Sequence, residues 1–264
     1  MCAKPFQTSP SPASSWTVHE DHVSLVRAPS PPRIVRMQAL PAALELDLAR
    51  CALVVIDMQN DFCHPDGWFG SRGVDISPMC SPIPAIAGLS DAMRAAGARI
   101  VWLNWGIRAD RANLPPGVLY RGKRSAGATG YGEPLANGRG PALVQGSWGA
   151  AQIGELPAHA DDLTVNKHRL SGFWDSELDS VLRQAGITTL LFAGINIDRC
   201  VFSTLQDAGF LGYDCVLVED ACATPSPQYV SDAILFLVRE LHGFTVTTAD
   251  IHHSITTSII KELP

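Results

Sequence analysis

Cys200 lies in Ala193-Gly194-Ile195-Asn196-Ile197-Asp198-Arg199-Cys200-Val201, directly after the apolar run Thr188–Phe192 and ahead of a helical pattern from Phe202 to Gly209. A cysteine at a strand-to-helix corner is placed to be a nucleophile. Helix N-terminal amides favour the thiolate, and amides pointing away from the helix can bind a developing oxyanion. The plain alternative is a small buried packing residue. Two other residues tip the balance. Asp57 ends the apolar run Ala52–Ile56, and Lys167 ends Leu163–Asn166. A thiol needs a base, and Asp57 can take its proton. Lys167 can favour both carboxylate and thiolate, and can help hold charge at a reacting carbonyl. Each also has an ordinary structural use. Asp57 can cap a turn, and Lys167 can be a solvated charge beside His168 and Arg169.

The three side chains serve one reaction only if the elements carrying them converge. Short apolar runs at Ala52–Ile56, Arg99–Leu103, Leu163–Asn166, Thr188–Phe192, Cys215–Val218 and Phe244–Thr247 read as strands buried on both faces. Between them, Ile83–Ala96, Asp175–Gln184, Cys200–Gly209 and Gln228–Leu241 carry helical spacing. Gly97 punctuates the first of these, and Pro227 and Gly243 bracket the last. The alternation predicts an α/β class: a three-layer α-β-α, Rossmann-like fold with a central, mostly parallel six-stranded sheet. With strand order 3-2-1-4-5-6, strands one and four meet at the switch point, where ligands bind beyond the carboxyl ends of the strands. Asp57 and Cys200 then face one crevice, and the long Lys167 side chain reaches in.

The 264 residues suffice for such a domain, and 46% hydrophobic content supplies a core. A net charge of −6 opposes a nucleic-acid or anionic-membrane surface. No apolar run approaches the roughly 20 residues of a membrane span. Cys2, Cys51, Cys63, Cys80, Cys200, Cys215 and Cys222 form no CxxC pair or regular framework. Structural zinc and a disulfide scaffold are therefore not expected, and a reducing cytoplasm is. Residues 1–30, with Ser9-Pro10-Ser11-Pro12 and Pro29-Ser30-Pro31-Pro32, read as an arm, and 33–50 as an irregular lead-in. The division is thus 1–50 for arm and lead-in and 51–264 for the catalytic domain. Within the latter, 105–160 is too long and too rich in Gly and Pro to be an idle connection.

Three separated segments carry a family resemblance: Ala52–Phe62 (ALVVIDMQNDF), Asn166–Phe173 (NKHRLSGF) and Gly194–Asp207 (GINIDRCVFSTLQD). Together they resemble the cysteine hydrolases of the isochorismatase-like superfamily over about residues 50 to 250. The lead-in, the long middle segment and KHRLSGFW are most similar to ureide amidohydrolases acting on ureidoacrylate, biuret or triuret. The resemblance implies an Asp-Lys-Cys triad at Asp57, Lys167 and Cys200. It also implies a cis peptide at Ile195–Asn196 and an oxyanion hole from the Asn196 and Cys200 amides. The implied reaction is hydrolysis of a linear, non-peptide amide bond through a thioester. A homodimer or homotetramer is implied as well. Other amidases on this scaffold, for N-carbamoyl amino acids or nicotinamide, are the alternatives, as are an isochorismatase and a non-catalytic binding protein.

Some relatives hold a metal through Asp-x-His-x-His after strand two. Here the region reads Asn104-Trp105-Gly106-Ile107-Arg108, so neither a metal nor any other cofactor is expected. His64, His168, His252 and His253 have no partner at useful spacing and are assigned supporting or surface roles. Phe62, Asn104, Trp105, Gln145 and Trp148 are the expected substrate-binding residues. Gln59 and Asn60 can hydrogen-bond an amide or hold their own loop. Tyr120, Arg121 and Tyr131 join Gln145 and Trp148 as candidates for closing over the substrate. Arg108, Arg121 or Arg169 can fork a substrate carboxylate; if none does, a neutral ureide is favoured. Glu219-Asp220 reads as structural.

Overall fold

The computed structural model describes residues 16–27 and 31–262. The apolar runs form β1 (Cys51–Ile56), β2 (Arg99–Trp105), β3 (Leu163–Lys167), β4 (Thr189–Ile195), β5 (Asp214–Ala223) and β6 (Phe244–Val246). Their order is β3-β2-β1-β4-β5-β6, and every neighbouring pair is parallel. The sheet expected to be mostly parallel is parallel throughout. Such a sheet is covered on both faces, which is why every residue of β1 and β4 is buried.

The covering helices are α1 (Ile83–Ala95), α2 (Pro116–Lys123), α3 (Leu178–Gln184), α4 (Phe202–Phe210), α5 (Gln228–Leu237) and α6 (Thr248–Glu262). Helix α1 turns Ile86, Leu89 and Met93 into the core at helical spacing. It stops at Gly97, whose φ of +81° only glycine adopts without cost. Helices α1 and α6 pack together on one face of the sheet, and α4 packs against β5. No helix among the described residues is long and apolar enough to cross a membrane.

Residues 33–50 are not an irregular lead-in. Ile34–Met37 and Leu44–Asp47 pair as an antiparallel hairpin. Alternation along it buries Val35 and Met37, and the first strand packs on α6. Leu40 exchanges backbone hydrogen bonds of 2.9 and 2.8 Å with Thr245 of β6, so the hairpin shields the edge strand of its own sheet. The period-two pattern in Ile34-Val35-Arg36-Met37 carried this signal, but proline-rich flanks masked it. Thr17–Val18 and Val23–Ser24 form a second small ladder. The serine- and proline-rich arm falls mainly on residues 1–15 and 28–30, which lie outside the described residues.

Close approach of β4 to β1 sets the site. Gly194 pairs with Ile56 at φ +109°, and a Cβ there would lie 2.2 Å from the Ile56 carbonyl oxygen. The register of β4 against β5 shifts between Phe192 and Gly194. Together these features bring the Ile195–Cys200 corner beside the end of β1.

Candidate active site

The switch-point argument places Asp57, Lys167 and Cys200 at the same end of the sheet, and they meet there. Lys167 Nζ donates to Asp57 Oδ2 at 3.0 Å, with both side chains buried. Nζ also approaches the Arg169 carbonyl at 3.4 Å and lies 4.2 Å from the centre of the Trp105 ring. Asp57 follows β1 with φ +56°, a left-handed conformation unusual for a residue with a side chain. Its amide is held by the Leu103 carbonyl at 3.0 Å. The Cys200 thiol lies beside both the carboxylate and the ammonium.

Electrostatics change the expected state of the Cys200 thiol. Ile197–Val201 is a π-helical turn ahead of α4, not the first turn of the α-helix itself. Burial, and then the neighbouring Asp57 charge, push the Cys200 thiol up to about 12, and Lys167 only partly opposes them. Desolvation therefore favours the thiol over the thiolate at this corner. Burial also pushes the Asp57 carboxyl above the usual carboxylate range, opposed first by Lys167. An acid so raised is suited to accept and return a proton.

These residues open into a cavity of about 440 Å³. Asp57, Asn196 and Cys200 lie on its lining, and the Ile195–Asn196 peptide is cis. Phe62 and Trp105 line it as expected, and Tyr131 joins them from the middle segment. Sequence reasoning missed Trp68, Phe69 and Arg72, which come from the turn after β1, and Arg124 and Arg199. Four arginines thus line the cavity, and Asp57 is the one acid among the lining residues. Arg72 lies over the Trp68 ring and donates to the Gly122 carbonyl, and Arg121 touches only the Gly117 carbonyl. Among the described residues neither they nor Arg124 has an acidic partner, whereas Arg199 lies 3.5 Å from Asp198.

Asn104, Gln145 and Trp148 do not line this cavity. Successive strand residues face opposite ways, so Asn104 turns from the side that Trp105 occupies. Gln145 is exposed. Trp148 stacks edge-on with His64 beneath the Arg139 guanidinium. The reason lies in Gln59, Asn60 and Asp61, which pull residues 141–152 behind the first motif. Gln59 bonds the backbone of Trp105 and Ala150, Asn60 that of Trp148, and Asp61 the amides of Leu143 at 2.6 Å and Trp68 at 2.9 Å. The polar side chains of the first motif thus hold their own scaffold. Of the proposed forks, Arg108 pairs with Asp110 and Arg169 with Asp175, leaving Arg121 at the site. Glu219 holds Arg239, and Asp220 caps α6 through Thr248, both structural. Among the described residues no group of three or more His, Cys, Asp or Glu is arranged to hold a metal ion.

A family model described as the isochorismatase domain matches residues 51–250. A ureidoacrylate amidohydrolase RutB of Caulobacter segnis is 36% identical over 224 residues, covering 84% of this chain and 92% of that protein. The corresponding protein of Azorhizobium caulinodans is 35% identical, covering 86% and 99%. The crystal structure of a cysteine hydrolase from Pseudomonas syringae pv. phaseolicola superposes with TM-score 0.67 at 24% identity, over 81% of this chain and 95% of that one, a likeness of fold.

Proposed function

This chain belongs to the isochorismatase family, and from that premise we propose that it is an amidohydrolase cleaving the linear ureido C–N bond of a small carboxylate, of the ureidoacrylate type. The observation that carries this reading is one cavity lined by Asp57, with Lys167 paired behind it, by Cys200 and by four arginines, with no unpaired acid. Biuret and triuret offer those arginines no carboxylate. The names of the relatives, ureidoacrylate amidohydrolases, point the same way.

In this mechanism Asp57 takes the proton of Cys200 as sulfur attacks the carbamoyl carbonyl carbon. The backbone amides of Asn196 and Cys200 receive the oxyanion. The tetrahedral adduct collapses by breaking the C–N bond, and Asp57 returns the proton to the leaving nitrogen. The carbamoyl group stays on sulfur as a thioester. Asp57 then activates water, which releases carbamate and regenerates the thiol. Lys167 keeps Asp57 usable as a base in a site whose burial would otherwise neutralise it. Phe62, Trp105 and Tyr131 enclose the planar ureide, and Arg121 with Arg72 or Arg124 faces its carboxylate.

The test is kcat/KM across ureidoacrylate, N-carbamoyl amino acids, biuret, triuret and nicotinamide. Carboxylate-bearing ureides are expected to lead, and a preference for the neutral compounds would overturn the reading. The proposal also takes the enzyme to act as a homodimer or homotetramer in the cytoplasm. Sedimentation velocity checks the assembly, and a monomer at working concentration would contradict it.

A further inference from the structure

Two cysteines that take no part in the reaction face each other behind the cavity wall. Cys63 ends the short helical turn Asn60–Cys63, and Cys80 ends the turn Ser77–Cys80. The Cys80 thiol donates to the Cys63 carbonyl at 3.1 Å, and the Cys63 thiol to the Met79 carbonyl at 3.8 Å. The two thiols are close enough for each to shift the other's ionisation. Cys63 is buried and Cys80 half-buried, so one thiol is shielded while the other can be reached from solvent. The chain between them is a loop whose ends are already together. It carries Trp68, Phe69, Arg72 and Val74, all on the cavity lining, and Phe62 stands beside Cys63.

We propose that Cys63 and Cys80 are a peroxide-sensitive pair that closes to a reversible disulfide, tying together the two ends of the loop that forms this wall. The chemistry balances with a hydroperoxide as the oxidant. The Cys80 thiolate attacks one peroxide oxygen, the O–O bond breaks, and hydroxide leaves, giving a sulfenic acid on Cys80. The Cys63 sulfur then attacks the Cys80 sulfur. The S–O bond breaks, and water departs with the Cys63 proton. Two thiols are oxidised by two electrons, and one peroxide is reduced to two waters.

The division of roles follows from the surroundings. Contact with the Cys63 thiol lowers the pKa of the half-buried Cys80 thiol, and the same contact, with burial, pushes Cys63 up. Cys80, the half-buried thiol with the lowered pKa, therefore meets the oxidant first while buried Cys63 waits as the resolving thiol. Burial and the Asp57 charge push the Cys200 thiol up to about 12 instead, which disfavours its thiolate. The assignment concerns these two sulfurs alone and does not depend on the substrate.

The experiment treats the purified full chain with one equivalent of hydrogen peroxide, blocks remaining thiols, and maps peptides without reduction. Trypsin cuts at Arg72, so the disulfide joins the peptide carrying Cys63 to the one carrying Cys80. The expected result is that crosslink, with loss of two hydrogens of mass, reversal by dithiothreitol, and Cys200 still open to alkylation once the protein is denatured. Cys80→Ser should abolish the crosslink while the reduced enzyme keeps its activity. Cys63→Ser separates this bond from one made by Cys51, which shares the Cys63 peptide. Sulfinic acid on Cys80 with Cys63 still free, a different crosslink, or oxidation of Cys200 first would each overturn the proposal.

Discussion

At the scale of single residues, the proposed mechanism makes the buried ion pair govern the nucleophile. Burial pushes the Cys200 thiol up to about 12, so in that mechanism its activation falls to Asp57. Cys200→Ala is expected to abolish turnover and leave the circular dichroism spectrum unchanged. Cys200→Ser should fall by at least about 10², because an alkoxide is harder to form at the same base. Full activity in either variant would exclude a thiol mechanism. The pH profile follows from Asp57. The carboxylate is the active form and burial raises its pKa, so kcat/KM should climb with pH through a limb above the ordinary aspartate value of about 3.9. Lys167→Met removes the largest opposing charge, which moves that limb to still higher pH. It should also destabilise the fold by about 3–5 kcal/mol through the unpaired buried carboxylate. An unmoved limb would refute the assigned role of Lys167.

At the scale of elements, the site depends on how one loop grips another. Asp61 ties the turn after β1 to residues 141–149, accepting from Leu143 and Trp68. Asp61→Ala orphans both amides, at about 1–3 kcal/mol each. The expected outcome is a lower urea midpoint together with a raised KM, since Trp68 and Phe62 belong to the cavity wall. A KM unchanged in a folded variant would show that this clamp does not set the wall. The same clamp explains why Gln145 and Trp148 were misplaced from sequence. Aromatic and amide residues in a long loop suggest a lid, but which stretch turns inward depends on long-range backbone bonds. Here the stretch from α2 to Tyr131 does so. The π-helical turn at Ile197–Val201 was equally invisible, because residue spacing at a corner does not distinguish one helical pitch from another.

At the scale of the whole molecule, a chain of net charge −6 gathers arginines around one cavity. Low-dielectric walls focus that local positive field over the diffuse negative charge. Raising ionic strength from about 0.01 to 0.5 M should therefore lower kcat/KM for a carboxylate ureide several-fold and leave a neutral ureide unaffected, as the Debye length shrinks from about 30 Å to a few ångströms. Stopped-flow or initial-rate measurements read this directly. A rise with salt would mean that overall negative charge dominates, and would count against carboxylate recognition.

The sequence alone determined the class of fold, the six strands and the strand-end positions of Asp57, Lys167 and the corner bearing Cys200. Those signals are local: apolar runs, punctuation by glycine and proline, and three motifs in order. Tertiary structure decided what distance along the chain conceals. It joined Asp57 to Lys167 and brought Arg72, Arg121, Arg124 and Arg199 to one lining. It turned Gln59, Asn60 and Asp61 toward their own scaffold, and made the hairpin at 34–47 a cover for β6. The protonation state of Cys200 belongs with these. A thiol's pKa is set by the solvent it loses and the charges it meets, and neither exists until the chain has folded.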